Sequence, residues 1–466
     1  MRDHAVVRVA LAGGWDDAIA TRGFDLIYQA IEAARLSTRP LFHLLDTGQK
    51  LARHKNNPLR DTLSMRALAA AWELPARQLK NYAKPTYEVW EMQGDQEVPI
   101  HQELIQSLPF ADLLRFTAED GREKPKVLIV AALSGHHATL LQDTIRGFAR
   151  DFDTYITDWK DARQVPLSEG DFGLDDYTSY VMQFLETLGP GTHVVATCQA
   201  APPSMVATAM MEAQGSPFAP ATLTLMGGPV DTRLGEDNVL KKLTTTLPLE
   251  MFKKLNIHTV PAGFPGTGRR VYPGFLQLNG FITLNPKPHA KQYVNFVRNT
   301  LKGDEDSLER FRDFYDEYFA VLDMAESFYI ETLEKIFFDH HIPTGKMTYR
   351  GEPVDFGAIR KAGLLTVEGA NDNFCPPAQT EAAHEICANV PEDLRGHYVQ
   401  PGVGHYGVFS GSKFQAEIYP VIRDFIWHAM TEPEDGKPRV PPTKSLRPGK
   451  GHHADEGTAF VDMGLV

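Results

Sequence analysis

Apolar residues recur at helical spacing between residues 24 and 83, as in Leu26, Ile27, Ala30, Ile31 and Ala34, with Pro40 and Pro58 as punctuation. This pattern predicts a helical N-terminal segment. After Lys84-Pro85 the period shortens. Tyr87 to Glu91 reads as a strand, and beyond the turn residues Gly121 to Pro125 the run Lys126 to Leu133 reads as a buried one. Strands and helices then alternate, with strands over 153–157, 193–197 and 221–226 and helices over 177–188 and 203–211. Near-continuous apolar strands separated by helices predict a mostly parallel, doubly wound sheet covered on both faces.

The alternation stops at residue 231. Residues 231–345 carry Pro-Gly turns at Pro265-Gly266 and Pro273-Gly274 and then an aromatic-rich helical stretch from Leu308 to Phe338. Strand patterns resume over 364–368 and 397–400, so the intervening piece is expected to be a helical cap inserted at one edge of the sheet. The expected divisions are an N-terminal extension and helical segment over 1–83, the first part of the core over 84–230, the cap over 231–345, the second part of the core over 346–430, and a mobile tail over 431–466. Pro420 should kink the last helix, 414–429, or mark its true start. Residues 432–455 offer little to bury.

Composition narrows the function classes. Lys and Arg total 47 against 60 Asp and Glu, a formal charge of −13 over 466 residues, which disfavours a nucleic-acid partner. Cys198, Cys375 and Cys387 are too few for a disulfide framework and leave an odd one, as expected in a reducing, cytoplasmic setting. The early run Val6, Val7, Val9, Ala10 and Leu11 is broken by Arg8 and followed by Gly13-Gly14 and two aspartates, so it is not read as a signal peptide. No stretch approaches the ~18 apolar residues of a membrane span.

The sharpest chemical feature is Val194-Val195-Ala196-Thr197-Cys198-Gln199-Ala200, a strand that ends on a thiol and leads into a helix. This is the layout of a nucleophile elbow, which needs small residues two positions either side of the nucleophile. Ala196 and Ala200 meet that need where glycines are usual. A buried structural cysteine is the competing reading. Partners stand in the chain order such a fold uses: Asp372 follows the strand at 364–368, and His405 follows the strand ending near Gln400, in Gly402-Val403-Gly404-His405-Tyr406-Gly407. Asp231, after Gly227-Gly228-Pro229-Val230, is a rival acid. Backbone donors for an oxyanion are expected from Gln199 and from Ser134, in the loop Leu133-Ser134-Gly135-His136-His137, with Gly135, His136 and Tyr406 as substrate-binding candidates. Neither the His136-His137 pair nor His340-His341 and His452-His453 has useful ligand spacing, so no metal and no cofactor are expected. The aromatics Phe311, Phe314, Tyr315, Tyr318, Phe319, Phe328, Tyr329, Phe337 and Phe338 read mainly as helix packing, with a minority free to line an apolar groove.

At these segments the chain resembles the intracellular poly(3-hydroxybutyrate) depolymerases, from about Tyr28 to about Ala429. The resemblance is carried by Ser134-Gly135-His136, Thr157-Asp158-Trp159, Val271-Tyr272-Pro273-Gly274-Phe275-Leu276-Gln277, Asp313-Phe314-Tyr315-Asp316-Glu317-Tyr318-Phe319, and Gly402 through Gly411. It implies an α/β-hydrolase fold, with Cys198 as nucleophile, Asp372 as acid and His405 as base. It further implies a polyhydroxyalkanoate granule or oligomer as the partner and cleavage of its esters through a thioester, at the surface of storage granules. Two alternatives stay open at this point: a synthase-like acyltransferase, and a granule-coating protein without catalysis.

Overall fold

Eight strands build the central sheet of the computed structural model: β1 (His101–Ser107), β2 (Ala111–Thr117), β3 (Lys126–Val130), β4 (Asp153–Trp159), β5 (His193–Thr197), β6 (Thr222–Met226), β7 (Gly363–Gly369) and β8 (Arg395–Gln400). Their spatial order is β1-β2-β4-β3-β5-β6-β7-β8. The pairs from β4 through β8 are parallel, and β2 runs antiparallel to both β4 and β1. The structure describes residues 17–93, 96–117, 123–235, 238–284 and 286–431. The early apolar run at 6–11, the tail beyond Thr431 and the pair His452-His453 lie outside the described residues.

Burial explains the strands that the sequence shows clearly. Every residue of β5, β6 and β7 is buried, which fits the largely apolar sequences seen there. The helices α3 (Gln142–Ala149), α4 (Leu174–Leu188) and α5 (Ala201–Ala213) belong to the crossover connections. This is the α/β-hydrolase fold, a mostly parallel and doubly wound sheet.

Several expectations are corrected. Strands β1 and β2 are not anticipated by the sequence pattern, and the expected strand over Tyr87–Glu91 survives only from Trp90, in a small hairpin of Trp90–Gln93 with Gln96–Pro99. The N-terminal segment is two helices, α1 (Asp17–Arg53) and α2 (Leu63–Leu79), and Pro40 lies inside α1 instead of ending it. Between β6 and β7 the chain runs through α6 (Val239–Thr246), α7 (Leu249–Asn256), α8 (Gly274–Leu284), α9 (Pro286–Lys302), α10 (Glu305–Phe319) and α11 (Glu326–Thr332). Because β6 and β7 are hydrogen-bonded neighbours with β8 outside them, this excursion leaves from between two paired strands and not from a lateral edge of the sheet. The aromatic stretch is also broken, at Ala320–Ala325, where Met324–Ala325 pairs with Arg270–Tyr272.

A second, smaller core joins these helices to the N-terminal pair. Ala70 of α2 packs with Phe296, Leu308, Phe311, Tyr315 and Tyr318. At its rim the buried Glu73 carboxylate meets Arg53 at 2.5 Å and Arg312 at 2.7 Å, and Arg77 meets Asp316 at 2.6 Å. The last helix among the described residues is α12 (Tyr419–Met430), entered through a π-helical turn at Phe414–Ile418, so Pro420 does mark the start of its regular part.

Candidate active site

Strand β5 ends at Thr197, and the short turn Cys198–Ala200 carries the chain into α5. Cys198 sits at φ +51°, a left-handed conformation that costs a non-glycine residue on the order of 1 kcal/mol and persists only where its surroundings enforce it. Ala196 and Ala200 are completely buried on either side. The tightest approach falls elsewhere: a Cβ at Gly228 would overlap Ala201 Cβ and lie 3.2 Å from the Cys198 carbonyl oxygen. Glycine is thus needed on the facing β6 loop, while alanine suffices at the elbow.

Residues separated by up to 207 positions meet at this turn. His405 Nε2 is 3.2 Å from Cys198 Sγ, and His405 Nδ1 is 2.7 Å from Asp372 Oδ2. Asp372 Oδ1 accepts from the amides of Phe374 and Cys375, each at 2.9 Å, which fixes the carboxylate. Burial alone would push the His405 pKa down. The charges of Asp372 and Cys198, and the hydrogen bonds to both, reverse this and hold it well above the ordinary histidine value. A thiol, an imidazole and a buried carboxylate in this line can pass one proton between sulfur and ring while the carboxylate fixes the tautomer.

The rival groups are placed elsewhere. Asp231 is bound by Arg233 at 2.7 and 2.8 Å, and these bonds outweigh burial and lower its pKa. Cys375 is buried, and burial drives its thiol well above the usual range, whereas Cys198 is partly exposed. Among the described residues Glu368, Glu381 and His397 stand close enough to share an ion, but Glu368 already accepts the amides of Ala378, Thr380 and Glu381.

The loop after β3 lies across from the elbow and is pinned from two sides. Ala131 donates to Thr157 Oγ1 at 2.9 Å, and its carbonyl accepts from Trp159 Nε1 at 2.7 Å and Tyr177 Oη at 2.6 Å. Farther on, the Gly135 carbonyl accepts the Leu322 amide at 2.8 Å and His136 bridges to Val321. A largely apolar cavity of about 430 Å³ opens between this loop, the elbow and the helices α6 to α8. Ser134, His136, Cys198, Gln199, His405 and Tyr406 line it; Asp372 stands behind His405.

Gly135, expected as a substrate contact, is not among the lining residues. Its φ of +99° and its closeness to the Gln277 side chain make it a packing position. His136 and His137 are kept neutral by burial, which lowers their pKa values to about 4 and about 3. Sequence reasoning missed Leu240, Leu243 and Phe252, which wall the cavity, and Phe374 and Phe409, which flank the His405 ring at 5.6 and 5.2 Å. Phe409 and Gln277 stand within strings already singled out, and that is the signal by which they could have been found.

Residues 227–430 match the family model described as PHB de-polymerase C-terminus. This match supports a place for the chain in the PHB depolymerase family. The match, together with the hydrolase fold, supports ester hydrolysis as the reaction class and a polymer as the kind of substrate. No curated protein is matched by the sequence. Solved structures that it resembles include a soluble variant of monoglyceride lipase from Saccharomyces cerevisiae, determined in complex with a substrate analog (10% identity, 74% of this chain and 100% of that one, TM-score 0.46). Others are bromoperoxidase from Bacillus anthracis (13% identity, 70% and 99%, TM-score 0.39) and a hydrolase from Pseudomonas aeruginosa (12% identity, 70% and 98%, TM-score 0.39). Among the described residues no helix is long and apolar enough to cross a membrane.

Proposed function

We propose that this chain is a polyester depolymerase that hydrolyses poly(3-hydroxybutyrate) or a related polyhydroxyalkanoate through Cys198, His405 and Asp372. The observation that carries the reading is the 3.2 Å approach of His405 Nε2 to Cys198 Sγ, with Asp372 on the other ring nitrogen at 2.7 Å. The family match over 227–430 supports the polymer substrate, and the apolar cavity suits an uncharged aliphatic ester.

In the proposed reaction His405 Nε2 takes the thiol proton and Cys198 Sγ attacks the ester carbonyl carbon. The amides of Gln199 and Ser134 hold the oxyanion. As it collapses, the C–O bond breaks and His405 returns the proton to the departing hydroxyl end of the polymer, which leaves a thioester. Water, deprotonated by the same ring, adds to the thioester and releases the carboxylic acid with the thiol restored. Asp372 orients the ring and stabilises its charged form. On this reading residues 231–345 act as a cap over the cavity, and the protein works in the cytoplasm at the surface of storage granules.

The test compares the parent protein with Cys198→Ala on native amorphous granules, measuring released acid. The reading expects release by the parent and a loss of at least about a thousandfold in the variant, the scale for deleting a nucleophile that acts with its base as a unit. Equal release from both would make the assigned nucleophile wrong. No release from either, with both still bound to granules, would favour the coating protein. Polymer growth from 3-hydroxybutyryl-CoA would favour the acyltransferase.

A further inference from the structure

We infer that Tyr28 and Asp323 are positioning residues for the Ser134–His137 loop, so that the N-terminal helix α1 is a working part of the site and not an appendage to the fold. This rests on the reading above, in which the Ser134 amide receives the oxyanion.

Tyr28 is fully buried, although it lies near the start of the described chain and far in sequence from the sheet. Its hydroxyl donates to Asp323 Oδ2 at 2.5 Å, across 295 positions, and its ring meets Phe275 edge-on at 5.5 Å. The other groups of Asp323 are also engaged. Oδ1 accepts the Gly274 amide at 2.8 Å, the backbone amide donates to Asp161 Oδ1 at 3.2 Å, and the carbonyl accepts the Ala162 amide at 3.0 Å. One peptide unit earlier, Leu322 donates its amide to the Gly135 carbonyl at 2.8 Å, and its own carbonyl accepts from Gln277 Nε2 at 3.3 Å. A Cβ at Gly135 would overlap that same Gln277 side chain, and one at Gly274 would press on Val321 and the Leu322 carbonyl.

The segment 321–323 is therefore a strut with α1 at one end and the oxyanion loop at the other. A buried carboxylate oxygen deprived of its donor is left unsatisfied, so without the Tyr28 hydroxyl Asp323 must shift or admit water. The Gly135 carbonyl hangs on the adjacent residue and has to follow. Displacements on the order of 1 Å at an oxyanion donor cost about a hundredfold in rate.

The experiment uses Tyr28→Phe and Asp323→Asn in the full chain, each assayed three ways: turnover of p-nitrophenyl butyrate, alkylation of Cys198 by iodoacetamide, and thermal midpoint. Alkylation is a displacement at saturated carbon and forms no oxyanion, so it reports the thiol and His405 without the loop. The inference expects kcat to fall about tenfold to a hundredfold with KM and the alkylation rate within twofold of the parent. It is overturned if kcat stays within twofold in both variants. It is equally overturned if alkylation and thermal midpoint fall in step with kcat, or if both variants are recovered unfolded, since the contact would then serve only the fold. Hydrolysis surviving in Cys198→Ala would instead remove the underlying reading, and the positioning role with it.

Discussion

Gly228 lies against Ala201 so closely that no side chain fits between them, and this contact holds the loop after β6 under the turn that carries Cys198. A Cβ at the preceding Gly227, which has φ +53°, would lie 3.6 Å from both Asp372 Oδ2 and His405 Cε1. The two glycines thus let three separate loops converge. Gly228→Ala should overpack the elbow, destabilising the fold by about 1–3 kcal/mol and lowering turnover of a soluble ester through displacement of Cys198. Urea unfolding together with ester kinetics checks this. A variant with parental stability and rate would show that the approach is not as tight as described.

Asp372→Asn should leave the fold intact and lower kcat by about 10³ to 10⁴-fold, because an amide cannot stabilise the charged ring and favours the wrong tautomer. The same substitution has a stability signature of definite sign. His405 is held well above its ordinary value by Asp372 and Cys198 despite burial. The stability gained from its protonation is full below about pH 6.5 and disappears as pH rises through the elevated folded-state value. The gap in unfolding free energy between parent and Asp372→Asn should therefore narrow toward alkaline pH. A gap that widens with pH would contradict the assignment of the pair.

His193 gives the opposite slope. It is buried in β5, with Nδ1 2.9 Å from Thr222 Oγ1, and burial lowers its pKa to about 4. Its neutral form favours the fold above about pH 6.5, and that stability is lost as pH falls toward about 4. Between pH 7.5 and 4.5 the parent should lose roughly 2.5 kcal/mol more than His193→Gln, from about 1.4 kcal/mol per pH unit below 6.5. Urea unfolding of both proteins at the two pH values measures the difference, and identical pH dependence would show that the ring is solvated.

How far the fold could be read from the sequence follows burial. Strands β5 to β7 are buried throughout and read as apolar runs, so they were found within a residue or two. Strand β1 is mostly exposed and its residues His101–Ser107 show no apolar alternation, so nothing distinguished it from a loop. Pro40 looked like a stop because a proline disrupts a helix interior, yet it is exposed on α1 and that helix is carried past it by packing elsewhere along its length. At the site, Cys198, Asp372 and His405 were legible because chain order and strand ends are sequence properties. Leu240, Leu243 and Phe252 were not, since which helix face meets the cavity depends on how the excursion between β6 and β7 folds back. At Gly135 the positive φ is foreseeable from the residue type, but the Gln277 side chain filling the space beside it is not.

The central claim is that the Cys198 sulfur carries the acyl group. Rapid acid quench of the parent protein with a 3-hydroxybutyrate oligomer, followed by peptide mass analysis, tests it most directly. The account predicts a 3-hydroxybutyryl or oligomer mass on the Cys198 peptide, appearing before free acid accumulates and absent when Cys198 is replaced by alanine. Steady release of acid with the Cys198 peptide unmodified at every time point, and undiminished in that variant, would contradict it.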